Sequence, residues 1–278
     1  MDAPAAVLAT VLAMTAVGSS VLLWFAPTWG AVRHGYEMLT GATVALLAWG
    51  AWASFSAPVA SLAGTALESQ GAQVRTLLGV MGVTTVAAGV ALAVKLPSWV
   101  ARSLGVVATL SGLAAFVPIS VIRAERGGAG GIAQGLVELG LGAFLTGAIW
   151  VGMILGHWYL VERRLSNRYM VWIAWMNVAA VGAGIGSVLL SWRNPVPCDR
   201  LADAEFQQCV MSFAPMLRIG SMTILLGLGV LSLIALISAF NVRLAKEGGR
   251  SIQASTGMFY LAVILAPAVE FAAKVRFF

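Results

Sequence analysis

The sequence contains two histidines, His34 and His157, and each stands beside groups that can hold or move a proton. His157 lies in GMILGHWYLVERRLSNRYM, an apolar run that ends in the successive charges Glu162, Arg163 and Arg164, while His34 lies in TWGAVRHGYEM ahead of Tyr36 and Glu37. Imidazole, phenol and carboxylate in this pattern suit two chemistries. Two imidazoles at similar depth can supply axial nitrogens to a single haem b, which makes His157 and His34 candidate iron ligands. Alternatively His157 hydrogen-bonds a quinone carbonyl, Glu37 and Tyr36 serve proton transfer as catalytic groups, and Trp158 and Tyr159 form an aromatic wall. A third reading needs no ligand. Tryptophan and tyrosine followed by charges is the composition of a membrane-interface belt, where a histidine bonds a backbone carbonyl or water.

These residues must be positioned by helices. Of the 278 residues, 60% are hydrophobic and 10% charged, with mean hydropathy +0.90, against about 45–50% and about 25% in soluble domains. A bilayer core needs on the order of 20 apolar residues per helix, and lipid leaves no exposed backbone satisfied. Eight such spans can be drawn, at 5–26, 36–57, 75–95, 99–121, 134–161, 169–192, 214–241 and 253–274. The expected fold is all-α: an integral membrane bundle of about eight transmembrane helices, one transmembrane domain over 1–278. Possible halves, 1–122 and 132–278, are joined by the Gly-rich loop ERGGAGGIAQG, which reads as a hinge. The amino-terminal segment carries Asp2 and lacks a basic leader, so it reads as a retained first span.

The net charge of +6 sits in turns between spans, which indicates lipid headgroups and topology rather than nucleic acid. The His157 side holds nine basic residues and the other side eight. The only cysteines, Cys198 and Cys209, fall in the longest loop, RNPVPCDRLADAEFQQCVMSFAP, where a disulfide would place that loop on the oxidising side. Both signals put the termini outside and the His157 turn in the cytoplasm.

Charges within spans are costly and mark candidate sites. Glu138 enters the fifth span and His157 leaves it nineteen residues later, about 28 Å along the axis, so the two stand at opposite mouths. Thr146, Trp150 and His157 share a face of that span, expected to look into the bundle. Asn177 in the sixth span can hydrogen-bond across to it. Glu270 and Lys274, four residues apart, read as an ion pair at the edge of the last span. Gly152 with Gly156 and Gly182 with Gly186 form GxxxG pairs suited to close helix packing. YEMLTGATVALLAWGAW and VELGLGAFLTGAIWVGM match at Glu37/Glu138, Gly41/Gly142, Ala42/Ala143 and Trp49/Trp150, the pattern an inverted-repeat transporter would show.

No CxxCH, CxxC, P-loop, GxGxxG or zinc spacing is present in the sequence. The segment GMILGHWYLVERRLS resembles a Gly-His-Trp-Tyr-Leu signature of bacterial polytopic membrane proteins, which implies a bacterial inner-membrane setting and brings no activity with it. The leading expectation is a membrane-embedded subunit of a respiratory or other electron-transfer assembly. It would hold a quinone, or a haem b, near the cytoplasmic face, and would need a redox partner protein. The alternatives are a secondary transporter for a small solute and a structural or assembly subunit without ligand.

Overall fold

A computed structural model describes residues 3–32, 34–162, 165–195 and 221–277. Among these, the helices are α1 (Ala3–Phe25), α2 (His34–Ser54), α3 (Ser56–Ala60), α4 (Glu68–Ala93), α5 (Ser98–Glu125), α6 (Gly131–Val161), α7 (Arg168–Trp192), α8 (Met222–Glu247) and α9 (Ser251–Lys274). All but the short α3 are long and apolar enough to cross a membrane, eight in number. The all-α membrane bundle expected from hydropathy is the fold observed. Cys198 and Cys209 lie outside the described residues, as does most of the loop that carries them.

The helices are apolar all round, for two different reasons. Outward faces carry large side chains such as Leu46, Leu110, Leu225 and Ile264, all well exposed, which suits contact with acyl chains. Inward faces carry small ones: Ala6, Ala9, Ala13 and Ala16 of α1 have no exposed surface. In lipid there is little hydrophobic gain from joining two apolar helices, so association depends on close van der Waals contact, and small residues permit it.

Two four-helix rings result. In the first, α1 packs on α2, α2 on α4 and α4 on α5, and α5 returns to α1; in the second, α6, α7, α8 and α9 follow the same neighbour order. The rings meet along α1 and α6, the most buried helices, with α5 also against α6. Successive antiparallel helices put the ends of α1, α4, α6 and α8 at one end of the bundle, called here the histidine end, and the ends of α2, α5, α7 and α9 at the other, the carboxylate end.

The α1–α6 junction is backbone against backbone. A Cβ placed on Gly18 would lie 1.8 Å from the Ala143 carbonyl oxygen, and one on Gly147 would lie 2.3 Å from the Gly18 carbonyl carbon. No side chain fits either position. The Gly152/Gly156 pair works similarly, against Phe259 and Thr256 of α9, whereas Gly182 of the second pair faces open space. The segments matched at Glu37 and Glu138 occupy unlike places: α2 sits in the first ring, while α6 is the centre of the molecule. The order of neighbours instead relates α6 to α1, four spans apart, so the two rings run in the same direction. The packing gives the inverted-repeat reading no support.

Replacing Gly18 or Gly147 by leucine is expected to force α1 from α6 and to lower the unfolding temperature of the detergent-solubilised protein sharply. Gly182→Ala adds a methyl into open space and removes a helix-interior glycine, so it should be neutral or stabilising by up to about 1 kcal/mol. A thermal melt of the three variants checks the contrast.

Candidate functional site

Four completely buried charged side chains meet at the carboxylate end, between α5, α6, α7 and α9. Glu138 comes from the second turn of α6, and Glu270 and Lys274 from the last turns of α9. The Glu138 Oε1 accepts from Lys274 Nζ at 3.1 Å, and Lys274 Nζ also lies 3.1 Å from Glu270 Oε2. Arg123 of α5 brings its guanidinium to 3.8 Å from Glu138 Oε2. None of the four side chains has exposed surface. Two cations face two anions, so the cluster is neutral as a whole when all are ionised.

Small hydroxyls complete it. Lys274 Nζ donates to Ser187 Oγ at 3.0 Å, and Ser187 Oγ is itself 3.0 Å from Glu270 Oε2. Ser191 hydrogen-bonds Glu138 Oε1 and, at 2.8 Å, the Ala273 carbonyl, while Asn194 Nδ2 lies 3.4 Å from Glu138 Oε2. Gly142 makes the room: a Cβ there would stand 2.5 Å from Glu270 Oε2. Two atoms are left over: among the described residues Glu270 Oε1 is buried with no donor and Arg123 Nε with no acceptor.

The ion pair read between Glu270 and Lys274 is present at the end of the last span, but it is buried among other helices and not set at an exposed edge. Spacing of four residues is the same for a surface pair and for a buried one; which occurs depends on the neighbours, and here α6 and α7 cover both. The Gly-rich loop is likewise not a free hinge. Arg123 donates from Nη1 to the Gly131 carbonyl at 3.0 Å and from Nη2 to the Ala129 carbonyl at 2.8 Å, and bonds Asn194 as well. Gly127, Gly130 and Gly131 take φ of 86°, 65° and 59°, values that residues with a side chain adopt at a cost. The turn between the two rings is therefore shaped by its glycines and pinned by one arginine.

At the histidine end the candidate residues are divided among separate partners. His34 Nδ1 lies 2.9 Å from Glu37 Oε2, and Glu37 Oε1 accepts the Gly30 N–H at 2.8 Å. Glu37 is buried and His34 exposed. Tyr36 is fully buried with its hydroxyl unpartnered among the described residues. His157 does not face His34. Its Nδ1 is 3.0 Å from the Tyr260 hydroxyl of α9, and both side chains are exposed on the outer seam between α6 and α9. Trp158, one residue on, turns toward α2 and packs its ring on Gly35. Tyr159 donates to the Ser166 carbonyl and accepts the Met170 N–H at 3.3 Å, tying the α6–α7 turn.

The stripe expected to look inward rotates outward along α6: Thr146 is buried, Trp150 half-buried with Nε1 donating to Thr43 at 3.1 Å, and His157 exposed. Asn177 is buried in α7, its Oδ1 without a donor among the described residues. Beside the seam, a cleft of about 720 Å³ is lined by Tyr159, Leu160, Asn167, Glu247, Arg250 and Gln253. Tyr260 was not singled out from the sequence, although a tyrosine within an apolar span is a visible signal. Among the described residues no group of three or more His, Cys, Asp or Glu side chains is arranged to hold a metal ion.

A comparison with protein-family models, with curated proteins and with solved structures finds no match to this chain.

Arg123→Met removes charge-assisted hydrogen bonds to the Ala129 and Gly131 carbonyls, each worth about 1.5–3 kcal/mol. Amide hydrogen exchange in residues 126–131 is expected to accelerate at least ~10-fold, with little change in α2 or α4. Unchanged exchange would show that the glycines alone shape the turn.

Proposed function

We propose that this chain is the membrane-embedded subunit of an electron-transfer assembly and that it takes a quinone headgroup from the bilayer at the His157–Tyr260 pair. The observation that carries the reading is the position of that pair: two hydrogen-bonded, titratable side chains on an outward seam of a membrane bundle, next to a polar cleft. A quinone is an amphiphile that arrives within the lipid. A site open sideways near one end of the helices suits it better than a sealed core does.

The chemistry follows from the hydrogen bond. With Tyr260 donating to Nδ1, His157 carries its hydrogen on Nε2, where it can donate to a quinone carbonyl. Reduction of a quinone to a quinol takes two electrons and two protons. The electrons would come from a partner redox protein; His157 would pass one proton to the carbonyl oxygen it bonds and regain it through Tyr260, and the second proton would reach the other carbonyl oxygen from the aqueous phase at the histidine end. Glu37 and His34, on the neighbouring end of α2, form a second proton-holding pair at the same end. A haem b held by both histidines gains less from this arrangement, because His157 lies on the seam between α6 and α9 and His34 stands on α2 beside Glu37, so the two rings do not face one another. The basic turns at this end and the Gly-His-Trp-Tyr-Leu signature support a bacterial inner membrane with the histidine end in the cytoplasm, and a disulfide between Cys198 and Cys209 would lie on the opposite side.

The test uses the purified chain in nanodiscs that contain quinone. Wild type is expected to retain quinone on extraction, and His157→Ala or Tyr260→Phe to retain about 10-fold less, the equivalent of one lost hydrogen bond of ~1.4 kcal/mol. Equal retention in all three overturns the site. Oxidised and dithionite-reduced spectra of the same samples decide the cofactor: a b-type band lost in His157→Ala replaces quinone by haem.

A further inference from the structure

One charge inside a span belongs neither to the buried cluster nor to the histidine end. Arg75 opens the third apolar run of the sequence, but the helix that carries it begins at Glu68. The arginine therefore stands seven residues inside α4, about 10 Å along the axis from its start at the carboxylate end. The turns before it are polar, with Glu68, Gln70 and Gln73, and from Leu77 to Ala93 the helix carries no further charge. Arg75 sits at that boundary, where lipid headgroups give way to acyl chains.

A charge at this depth calls for an anion. Among the described residues no carboxylate or other hydrogen-bond acceptor meets the guanidinium, and its Nε is buried with no partner. Glu68, the nearest acid along the chain, accepts the Gly64 N–H at 2.8 Å instead. The arginine is nevertheless held in place. Its Cζ lies 4.5 Å from the centre of the Trp52 ring of α2, a cation–π contact that uses none of the N–H donors. Trp52 stands edge-on to Trp49, with ring centres 5.6 Å apart. Both indoles lie over glycines of α4: a Cβ on Gly79 would be 3.5 Å from Trp52 Nε1, and one on Gly82 would be 2.9 Å from the Trp49 ring. Trp52, Val59, Ala72, Arg75, Thr76 and Gly79 line a shallow groove of about 410 Å³. Thr76 turns its hydroxyl onto the Ala72 carbonyl at 3.0 Å, and Arg75 is the one charge among these lining residues.

We propose that this groove binds an anionic phospholipid, with Arg75 on the phosphate and an acyl chain lying along Trp52 and Gly79. A guanidinium presents its N–H groups in a fixed fork that matches two phosphate oxygens. The phosphate of phosphatidylglycerol carries a charge that its own headgroup leaves unbalanced, whereas in phosphatidylcholine an ammonium balances it. The groove therefore favours the anionic lipid. It is built from α2, α3 and α4 on the first ring, so it stands or falls independently of quinone binding at His157 on the second.

Native mass spectrometry of the delipidated full chain in neutral detergent tests it, with phosphatidylglycerol and phosphatidylcholine of the same acyl chains as probes. Basic residues elsewhere also attract anionic lipid, so the quantity read is the difference between wild type and variant. Wild type is expected to bind its tightest phosphatidylglycerol about 10-fold more strongly than Arg75→Gln does, the equivalent of one lost charge-assisted hydrogen bond, with little change for phosphatidylcholine. Arg75→Lys keeps charge and length if Arg75→Gln fails to fold; it loses the fork and should bind more weakly than wild type. Gly79→Leu fills the groove, leaves the charge, and should weaken phosphatidylglycerol as well. Equal binding by wild type and the Arg75 variants overturns the proposal, and full binding by Gly79→Leu does so by placing the lipid outside the groove. Displacement of the lipid by excess inorganic phosphate would make the ligand a free anion and would also overturn it.

Discussion

Four charges placed where neither water nor lipid can solvate them constrain everything around them. Moving one such ion out of water costs several kcal/mol even after relaxation. The attraction that offsets this, for Lys274 and Glu138 at 3.1 Å, is about 5 kcal/mol at an effective dielectric constant near 20. Gain and cost are comparable, so the cluster adds little net stability. What it adds is position. Any shift of α9 along α6 separates Lys274 from Glu138, and any withdrawal of α5 takes Arg123 from both Glu138 and the turn. Helices that would otherwise slide over one another in an apolar medium are held in one register.

The second constraint is steric and acts at the centre. Gly18 and Gly147 let α1 and α6 touch through their backbones, so the two rings share a common wall. The consequence is an asymmetry between the ends. At the carboxylate end the polar groups are enclosed by this wall and the pinned glycine turn. At the histidine end α6 runs on to Val161 with its outer face open, and His157 emerges beside Tyr260 on the exterior. One end is sealed and charge-balanced; the other is open and aromatic.

The spans were legible because hydropathy is a local property: α6 and α7 fall within three residues of the runs read from sequence, and the later start of α4's run reflects the polar first turns of that helix, with Glu68, Gln70 and Gln73. Glu138 was legible as an acid inside a span. The cluster around it was not. Glu270 and Lys274 show only a spacing, and a buried pair has the same spacing as an exposed one. Arg123 stands next to a glycine run and reads as a loop residue. Ser187, Ser191 and Asn194 are of types too common to single out, and their role depends on which helices become neighbours, a long-range fact. His157 drew attention by its rarity; its direction depended on the rotation of α6 about its axis, which the stripe through Thr146 and Trp150 did not fix.

The central claim, that Glu138 and Lys274 act as one balanced unit which sets helix position, is tested most directly by a double-mutant cycle in reversible unfolding from detergent. Glu138→Gln and Lys274→Met singly strand a buried charge and are expected to cost about 3–5 kcal/mol each. The double variant should cost far less than their sum, leaving a coupling energy above about 1.5 kcal/mol. Additive costs, with no coupling, would contradict the account.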